Sequence, residues 1–295
     1  MQRIAFIINP ISGTHVGKTD FPALAAQRLD SSRYEAEYVY TARPGHGTEL
    51  ARAYAEKGFY AVIAVGGDGT LGEVAEGLRG TDTALGIIPL GSGNGFARHV
   101  GIPLSPARAL EYLNQATPHP CDYGLANDRF FISTCGTGFD ATVADDFTRA
   151  GIRGFLPYLK YSVLDAFRFR PEQVSFSTDD ASQMLPAAQK AYIVNFANSG
   201  QWGYGASIAP HARIDDGLLD MTILSRWAPL GLLDIVARMF LGGMKNSPWV
   251  KTFPTTDITL HREGPLPFHI DGTPVDMPAD VRIRVVKGGL KLLLN

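Results

Sequence analysis

The sequence predicts two domains of different class, an α/β domain followed by a β-rich domain with an antiparallel sandwich. Its first 120 residues alternate short apolar runs with segments of helical periodicity. After residue 122 the apolar runs are joined mostly by short links rich in glycine, proline and aspartate. Strands that alternate with helices indicate a parallel sheet covered by helices, whereas strands with short polar links indicate an antiparallel sandwich. The length of 295 residues suits two domains of roughly 150 residues.

In the first half, apolar runs that end near glycine or proline indicate buried parallel strands. Strands are predicted at residues 4–8, 34–40, 61–65 and 85–88. Helices are predicted at residues 21–29, 48–57 and 106–115. Thr48 is the predicted N-cap of the second helix, because a hydroxyl at that position can accept a free backbone N–H.

In the second half, strands are predicted at 130–133, 174–178, 191–196, 218–224, 258–261, 268–271, 281–286 and 290–294, and helices at 156–169 and 230–241. The helix at 230–241 is almost wholly apolar, with Asp234 and Arg238 spaced for an ion pair. Three environments fit such a helix: the protein core, a second subunit in a homodimer, or a lipid surface.

Composition narrows the class of partner. The formal net charge of −2 gives no global field toward nucleic acid or an anionic membrane. Cys121 and Cys135 have no metal or redox spacing, which indicates buried thiols in a reducing compartment. No run approaches roughly 20 apolar residues, and the apolar N-terminal run is short for a signal peptide. We therefore expect a cytoplasmic protein whose membrane contact is peripheral, on the inner face.

Two glycine-rich loops follow two predicted strands of the first domain, GGDGT at residues 66–70 and GSGNG at 91–95. Loops at the carboxyl ends of strands form the ligand crevice of an open α/β sheet. Backbone N–H groups of glycines can approach phosphate oxygens closely, and the N-terminus of the helix expected after Thr70 favours the same anions. Asp68 can bind Mg²⁺ or orient an acceptor hydroxyl. Neither loop is a Walker A or Rossmann motif, which disfavours a dehydrogenase.

Four motifs, in this order, resemble the family of diacylglycerol kinase catalytic domains, which includes bacterial lipid kinases and the sphingosine and ceramide kinases. They are NPISG at 9–13, Thr41 with GHG at 45–47, GGDGT with Glu73, and PLGSGNGFAR at 89–98. Gly72 stands where the family has asparagine, and Ser92 and Gly95 stand where it has threonine and aspartate. The resemblance implies an α/β nucleotide-binding domain at 1–122, rejoined by about 288–295, and a β-sandwich lipid-binding domain at 123–287, with the active site between them.

The resemblance also implies an ATP- and Mg²⁺-dependent lipid kinase that transfers the γ-phosphate to a lipid hydroxyl. Diacylglycerol, phosphatidylglycerol, ceramide and sphingoid bases all carry such a hydroxyl. The residues expected to bind the nucleotide are Asn9, Pro10, Ser12, Gly13, Thr41, Gly66, Gly67, Asp68, Gly69, Thr70, Gly72, Glu73, Gly91, Ser92 and Asn94.

Acidic residues of the second half match further family positions. The segment DDGLLD at 215–220 is similar to one where bacterial members hold a structural Mg²⁺ through one carboxylate and two carbonyls, which implies Asp216 with the carbonyls of Arg213 and Leu218. A solvated acidic turn fits the same residues. Asp122 and Asp140 match positions near the family's interdomain cleft, where a purely structural role is the alternative.

The sharpest departure from the family is Thr273, in the segment DGT at 271–273. The family has glutamate at this position, as the base that takes the proton of the lipid hydroxyl, and threonine cannot act as a base at neutral pH. Asp271, Asp276 and Asp68 are the remaining candidates.

Two rival functions stay open at this point. An NAD kinase shares a GGDG loop and a similar length, although the segments at 9–13 and 91–98 favour a lipid kinase. A nucleotide-binding regulator without catalysis would account for Thr273.

Overall fold

A computed structural model describes residues 1–13, 20–149, 169–225, 229–241, 243–244, 247–264 and 266–295. The chain divides into two units, the first made of Met1–Asp122 and Gly288–Asn295 and the second of Tyr123–Lys287. The first unit is α/β and the second is β-rich. The predicted fold class is therefore confirmed.

The first unit contains a parallel sheet flanked by helices. Its strands are Gln2–Ile8 (β1), Tyr34–Tyr40 (β2), Ala61–Gly66 (β3), Ala84–Pro89 (β4) and the last part of the chain's final strand, Asp280–Leu294 (β18). Its helices are Phe21–Arg28 (α1), His46–Glu56 (α2), Asp68–Leu78 (α3), Gly95–His99 (α4) and Pro106–Leu113 (α5). The strand order is β2-β1-β3-β4-β18.

The inner strands of this sheet can be recognised from the sequence because they are fully buried. Every residue of β3 and β4 is buried, as continuous apolar runs in parallel strands require. At the end of the chain, Leu292 of β18 lies beside Leu85 of β4 in parallel register. The strands β3 and β4 are neighbours, so the loops that leave them emerge side by side.

The second unit is built mainly of antiparallel strands. After Thr117–Ala126 (β5), which ends in this unit, they are Arg129–Phe131 (β6), Thr134–Gly138 (β7), Glu172–Ser177 (β8), Gln189–Ala191 (β9), Ile193–Ala197 (β10), Gln201–Gly203 (β11), Ala206–Ser207 (β12), Leu219–Leu224 (β13), Val250–Thr255 (β14), Asp257–Arg262 (β15), Phe268–Ile270 (β16) and Thr273–Val275 (β17). Among the described residues of this unit, the helices are Phe139–Arg149 (α6) and Pro229–Leu241 (α7).

Two sheets of this unit share one apolar core. One sheet joins β18, β15, β8 and β9, and the other has the order β14-β13-β10-β7-β16-β17. Leu260 and Ile283 from the first sheet lie in one buried cluster with Phe196, Met221 and Phe268 from the second. This arrangement is the antiparallel sandwich that the alternating pattern predicts.

A second apolar cluster lies on the other face of the six-stranded sheet. It combines Ile193 and Leu224 of the sheet with Phe139 and Val143 of α6 and Ile235 of α7. At the end of α7, however, Leu241 is 84% exposed. Of the three environments predicted for this helix, the structure shows burial on one side, and Asp234 forms the predicted ion pair with Arg238 at 2.7 Å.

Several boundaries differ from the predictions. The segments 281–286 and 290–294 form one strand, β18, because the glycines between them continue the strand, and 191–196 is divided between β9 and β10. The helices α4 and α6 were not predicted, and α3 begins at Asp68 rather than after Thr70. The helix predicted at 156–169 lies outside the described residues, apart from Phe169.

Both cysteines are buried and neither forms a disulfide bond, as predicted. Within the part of the chain that the structure describes, no helix is both long and apolar enough to cross a membrane.

Candidate active site

The two glycine-rich loops meet at the ends of β3 and β4. The N–H of Leu90 donates to the carbonyl of Gly66 at 2.7 Å. A Cβ added at Gly91 would lie 2.5 Å from the Cα of Gly67, closer than side-chain atoms approach backbone. Glycine is therefore required where the loops touch, and the loops form one surface rather than two separate turns.

A small pocket lies at this junction. It is lined by Gly66, Gly67, Asp68, Pro89 and Asn94, and by the apolar residues Ala64, Leu71, Ile87 and Ala97. Asn94 is 7% exposed and adopts a left-handed conformation. Its Nδ2 donates to the Gly91 carbonyl at 2.7 Å, whereas its Oδ1 has no hydrogen-bond partner among the described residues. A buried acceptor in this state is costly, and a ligand donor would satisfy it.

Asp68 is the acid of this pocket. It is the first residue of α3, and its Oδ1 accepts the N–H of Phe96 at the start of α4, at 3.3 Å. Burial raises the pKa of this carboxyl, although backbone N–H groups of residues 94–96 oppose the shift. The ionised form is therefore held at a cost, and a nearby cation would stabilise it.

The NPISG segment is attached to the first glycine loop. The side-chain amide of Asn9 donates to Thr70 Oγ1 at 3.0 Å. Asn9 Oδ1 accepts the N–H of Ile11 at 3.1 Å, and the Ser12 N–H donates to the Asn9 carbonyl at 3.2 Å. Gly13 has a positive φ of 73°. These bonds place residues 9–13 beside 66–70, so the structure brings three of the four predicted nucleotide segments together.

Glu73 connects the fourth segment to α3. Its two carboxylate oxygens accept the N–H groups of Gly45 and Gly47, each at 2.9 Å. A Cβ at Gly47 would lie 2.7 Å from Glu73 Oε2, so glycine is needed there. Thr48 is not the N-cap of α2, and that prediction is wrong: its hydroxyl donates to the Glu73 carbonyl at 2.9 Å. Glu73 thus satisfies the N–H of the N-cap residue Gly45 and one free N–H in the first turn of α2, that of Gly47, although it lies 28 and 26 positions away.

The candidate base Asp271 holds a loop of the second unit. Its carboxylate accepts three backbone N–H groups, from Ile132 at 3.0 Å, Ser133 at 2.8 Å and Thr134 at 3.0 Å. Asp271 also has a positive φ of 48°, which a short polar side chain tolerates. Its oxygens are thus engaged by backbone, and proton abstraction by Asp271 would have to compete with these bonds. The side chains of Thr273 and Asp276 are exposed.

The predicted metal residues lie in a turn before β13. Asp216 Oδ1 accepts the N–H of Leu218 at 3.0 Å, and Arg213 forms an ion pair with Asp215 at 3.1 Å. Burial raises the pKa of Asp220, and the charge of Asp216 raises it further. Two carboxylates that repel each other in this way suit a cation, although no three acidic, histidine or cysteine side chains of the described residues converge on one point.

Asp122 and Asp140 are both buried, in different settings. Asp122 is fully buried, and its Oδ1 accepts the N–H of Gly288 at 2.6 Å. Asp140 Oδ2 lies 3.0 Å from Nε2 of His269, and both side chains are no more than 5% exposed. The hydrogen bond between Asp122 and Gly288 holds the C-terminal segment in place. The pair of Asp140 and His269 lies at the start of α6.

The half-buried Glu172 and the buried Arg262 and Thr137 form a polar group that the sequence did not reveal. Arg262 is 6% exposed and donates to Thr137 Oγ1 at 3.1 Å; that hydroxyl has one proton and lies 2.8 Å from the carbonyl of Pro267 and 3.3 Å from Glu172 Oε2. Burial raises the pKa of Glu172 to about 7 despite the attraction of Arg262. A lone glutamate in an alternating strand carries no signal of this environment, because its partners are distant in sequence.

Glu172 makes the stability of the protein depend on pH. Its folded pKa lies above the unfolded value near 4.5, so the stabilisation is fully present below pH 4.5 and is lost as the pH rises through about 7. We expect the free energy of unfolding to fall by about 1–2 kcal/mol between pH 5 and pH 8, after allowance for partial exposure. Denaturant titrations of wild type and Glu172→Gln would measure it. The variant should lose most of this slope, whereas the exposed control Glu263→Gln should keep it; an unchanged slope in Glu172→Gln would contradict the assignment.

Comparison with known proteins agrees with this architecture. The family model for the diacylglycerol kinase catalytic domain matches residues 3–126, and the model for the YegS C-terminal NAD kinase beta sandwich-like domain matches residues 133–294. A protein of Chromohalobacter salexigens named "Probable lipid kinase YegS-like" is 33% identical over 261 residues, which cover 85% of this chain and 81% of the relative. The "Diacylglycerol kinase" of Bacillus subtilis is 31% identical over 248 residues, covering 82% and 80%.

Solved structures support the fold. The crystal structure of a diacylglycerol kinase from Bacillus anthracis superposes with a TM-score of 0.76 at 20% identity, over 100% of this chain and 97% of that one. Two consecutive family models thus span nearly the whole chain, and they meet close to the boundary between its two units. The chain is a kinase that belongs to the diacylglycerol kinase catalytic-domain family, in its form with the YegS-type C-terminal domain.

Proposed function

We propose that the enzyme transfers the γ-phosphate of ATP to a hydroxyl group of a lipid. The observation that carries this proposal is the junction of the two glycine-rich loops, with Asp68 and the buried acceptor of Asn94 beside it. Phosphoryl transfer depends mainly on positioning and on neutralisation of charge. A rigid surface of backbone N–H groups with one acid suits that chemistry.

The nucleotide would bind along four segments. The N–H of Gly13 and the backbone N–H groups in the loop and first turn of α3 at 66–72 would hold the phosphates, together with Thr41 and Ser92, because the N–H groups of Ile11 and Ser12 already bond to Asn9. The N-terminus of α3 would add its positive dipole. Asn94 Oδ1 would accept a hydrogen bond from the nucleotide. Glu73 would act indirectly, because its carboxylate holds the N-terminus of α2 through Gly45 and Gly47.

The chain offers two places for Mg²⁺. At the junction, Asp68 would hold the ion that accompanies ATP, and the raised pKa of its carboxyl fits a cation there. In the second unit, Asp216 with the carbonyls of Arg213 and Leu218 would hold a structural ion, which the repulsion between Asp216 and Asp220 would favour. When bound at the first place, Mg²⁺ would neutralise the phosphate oxygens.

As an alternative to holding Mg²⁺, Asp68 is the best candidate to orient the lipid hydroxyl or to accept its proton. Burial raises the pKa of its carboxyl, which brings it closer to the working pH of a general base. The carboxylate of Asp271, by contrast, accepts hydrogen bonds from three backbone N–H groups. We infer that Asp271 has a structural role: it stabilises the loop at 132–134 and the turn in which it lies.

Thr273 provides a test of the missing base. Glutamate at this exposed position of β17 would restore a carboxylate where the family has one, and a general base contributes about 10²–10⁴-fold. We expect Thr273→Glu to raise kcat at least about tenfold, because Asp68 already supplies part of this function. Thr273→Gln, equal in size but without a base, is the control. Equal rates in the two variants would show that the position does not receive a proton.

A lipid surface is the second partner that we propose. Phe240 and Leu241 at the end of α7 are 42% and 84% exposed, and exposed apolar side chains at a helix end suit the boundary between headgroups and acyl chains. Such contact would bring the enzyme peripherally to the inner face of the membrane. A homodimer formed through the same residues is the competing arrangement.

The direct experiment measures ADP release from ATP and Mg²⁺ on addition of lipid micelles. Diacylglycerol, phosphatidylglycerol, ceramide and sphingosine would be supplied separately, with labelled ATP to identify the phospholipid product. Lipid-dependent ADP release with a labelled lipid product supports the proposal. NADP formation would instead indicate an NAD kinase. A rise in thermal stability with ATP, without any labelled product, would indicate a nucleotide-binding regulator.

A further inference from the structure

A serine, a histidine and an aspartate form a hydrogen-bonded chain on the second unit. Ser177 Oγ lies 2.7 Å from Nε2 of His261, and Nδ1 of His261 lies 2.9 Å from Asp280 Oδ1. A nucleophile in contact with a base, and a base held by a third group, is the arrangement that activates a hydroxyl in covalent catalysis. We call Ser177, His261 and Asp280 the surface triad.

Three neighbouring strands position the surface triad. Its members come from β8, β15 and β18, which lie side by side in one sheet. His261 of β15 lies opposite Asp280 of β18 on one side and opposite Ser175 of β8 on the other. Ser177 lies two residues further along β8 and on the same face, at a diagonal that a long side chain such as histidine spans. Strand pairing, rather than a loop, therefore sets the geometry.

The surface triad lies on the face of the sheet that is turned away from the sandwich core. Leu260 and Val281, which precede and follow His261 and Asp280 in sequence, belong to that core. Successive side chains of a strand point to opposite faces, so the triad points outward. The side chains of His261 and Asp280 are 35% and 68% exposed, and Ser177 is exposed as well. A dissolved reagent can therefore reach the serine hydroxyl.

The order of the contacts determines which nitrogen of His261 can take a proton. A carboxylate only accepts hydrogen bonds, so the contact with Asp280 places the proton of the neutral imidazole on Nδ1. The lone pair of Nε2 is then directed at the hydroxyl of Ser177. Serine hydrolases use the same two nitrogens in the same order for the nucleophile and the orienting acid. His261 is thus placed as the base of Ser177, and Asp280 holds the ring.

We propose that the surface triad makes Ser177 a nucleophile that reacts with small, activated, uncharged esters, in an activity separate from the kinase reaction. A serine hydroxyl is a weak nucleophile by itself, and a general base in contact with it contributes about 10²–10⁴-fold. Because the triad is open to solvent, it suits small acyl groups rather than substrates that need a deep pocket. The charge of Asp280 beside His261 disfavours anionic esters.

The reaction needs no reagent besides the ester and water. Ser177 Oγ attacks the carbonyl carbon of the ester while Nε2 of His261 takes the hydroxyl proton. The bond from this carbon to the leaving oxygen breaks, and Nε2 returns the proton to the leaving alcohol. The acyl group stays on Ser177 until a water molecule, deprotonated by the same nitrogen, releases it as the acid and restores the hydroxyl.

Acetylation of the full chain by p-nitrophenyl acetate tests this proposal. Release of p-nitrophenol gives the rate, and mass spectrometry of proteolytic peptides identifies the acetylated residues. Ser175 is the internal reference, because it lies on the same strand and the same face, opposite His261. In wild type we expect acetylation of Ser177 to be about 100-fold faster than that of Ser175, as a general base predicts. This ratio does not depend on any variant being able to fold.

Variants then assign the roles within the surface triad. We expect His261→Gln to slow acetylation of Ser177 about 100-fold. Asp280→Asn should slow it at least about tenfold, because an amide can turn its NH₂ group toward the ring and select the wrong tautomer, and Asp280→Glu should restore part of the rate. Ser175→Ala is the matched control and should leave Ser177 as reactive as in wild type. Equal acetylation of Ser177 and Ser175 in wild type, or a rate at Ser177 that survives His261→Gln, would overturn the proposal. A rate that survives Asp280→Asn would overturn the role of Asp280.

Discussion

Asp68→Asn is expected to lower lipid-stimulated ADP release by roughly 10³-fold while the fold is retained. Asparagine has the size of aspartate, and its Oδ1 can still accept the N–H of Phe96, which Asp68 accepts at 3.3 Å. What the variant loses is the negative charge beside the two glycine-rich loops. Without it, neither a cation nor the proton of the acceptor hydroxyl has a carboxylate at the junction.

The stability of the Asp68→Asn variant separates this loss from misfolding. Burial raises the pKa of the Asp68 carboxyl, which means that the folded protein holds its charge at a cost, so the neutral amide should not destabilise the unit. Asp20→Asn is the matched control, because Asp20 Oδ1 also accepts a backbone N–H at a helix start, that of Ala23, at 3.3 Å. Steady-state kinetics and denaturant titrations of both variants suffice. A folded Asp68→Asn enzyme with more than about a tenth of wild-type kcat would remove Asp68 from the mechanism.

The parts of the fold that the sequence predicts are those with local signals. The buried strands β1, β3 and β4 are short apolar runs closed by asparagine, glycine or proline, and their period is visible within a few residues. The α4 helix has five residues, too few to show a helical period. In β18 the pair Gly288-Gly289 suggests a turn, yet the strand continues through it because its pairing partners lie elsewhere in the chain.

The candidate site shows the same division. The glycine-rich loops were identified from their local composition, since so high a density of glycine with an aspartate is rarely needed for a turn alone. The hydrogen bonds that Glu73 accepts from Gly45 and Gly47 span 28 and 26 residues, and those that Asp271 accepts from residues 132–134 span 137–139 residues. No periodicity encodes such pairs. A sequence therefore does not distinguish a carboxylate that binds backbone N–H groups from one that contacts a substrate.

The second large effect is expected from a substitution at Gly91, where the two glycine-rich loops approach each other closely. We expect Gly91→Ala to destabilise the first unit by about 1–3 kcal/mol and to lower activity at least about 100-fold. The added Cβ would lie 2.5 Å from the Cα of Gly67 and 2.8 Å from Asn94 Oδ1. The first of these atoms is backbone at the end of a fully buried strand and cannot rotate away, so the loops must separate.

Separation of the loops should affect nucleotide binding before it affects the rest of the chain. Isothermal titration with ATP and Mg²⁺, together with denaturant unfolding, would measure the two effects side by side. Gly264→Ala is the matched control, because a Cβ at Gly264 meets nothing within 4 Å; it should bind ATP and unfold as wild type does. Gly91→Ala with unchanged ATP affinity would show that the contact between the loops is not part of the nucleotide site. Weakened ATP affinity in a folded Gly91→Ala protein would show that the two loops bind the nucleotide as a single surface, which requires that Gly91 carry no side chain.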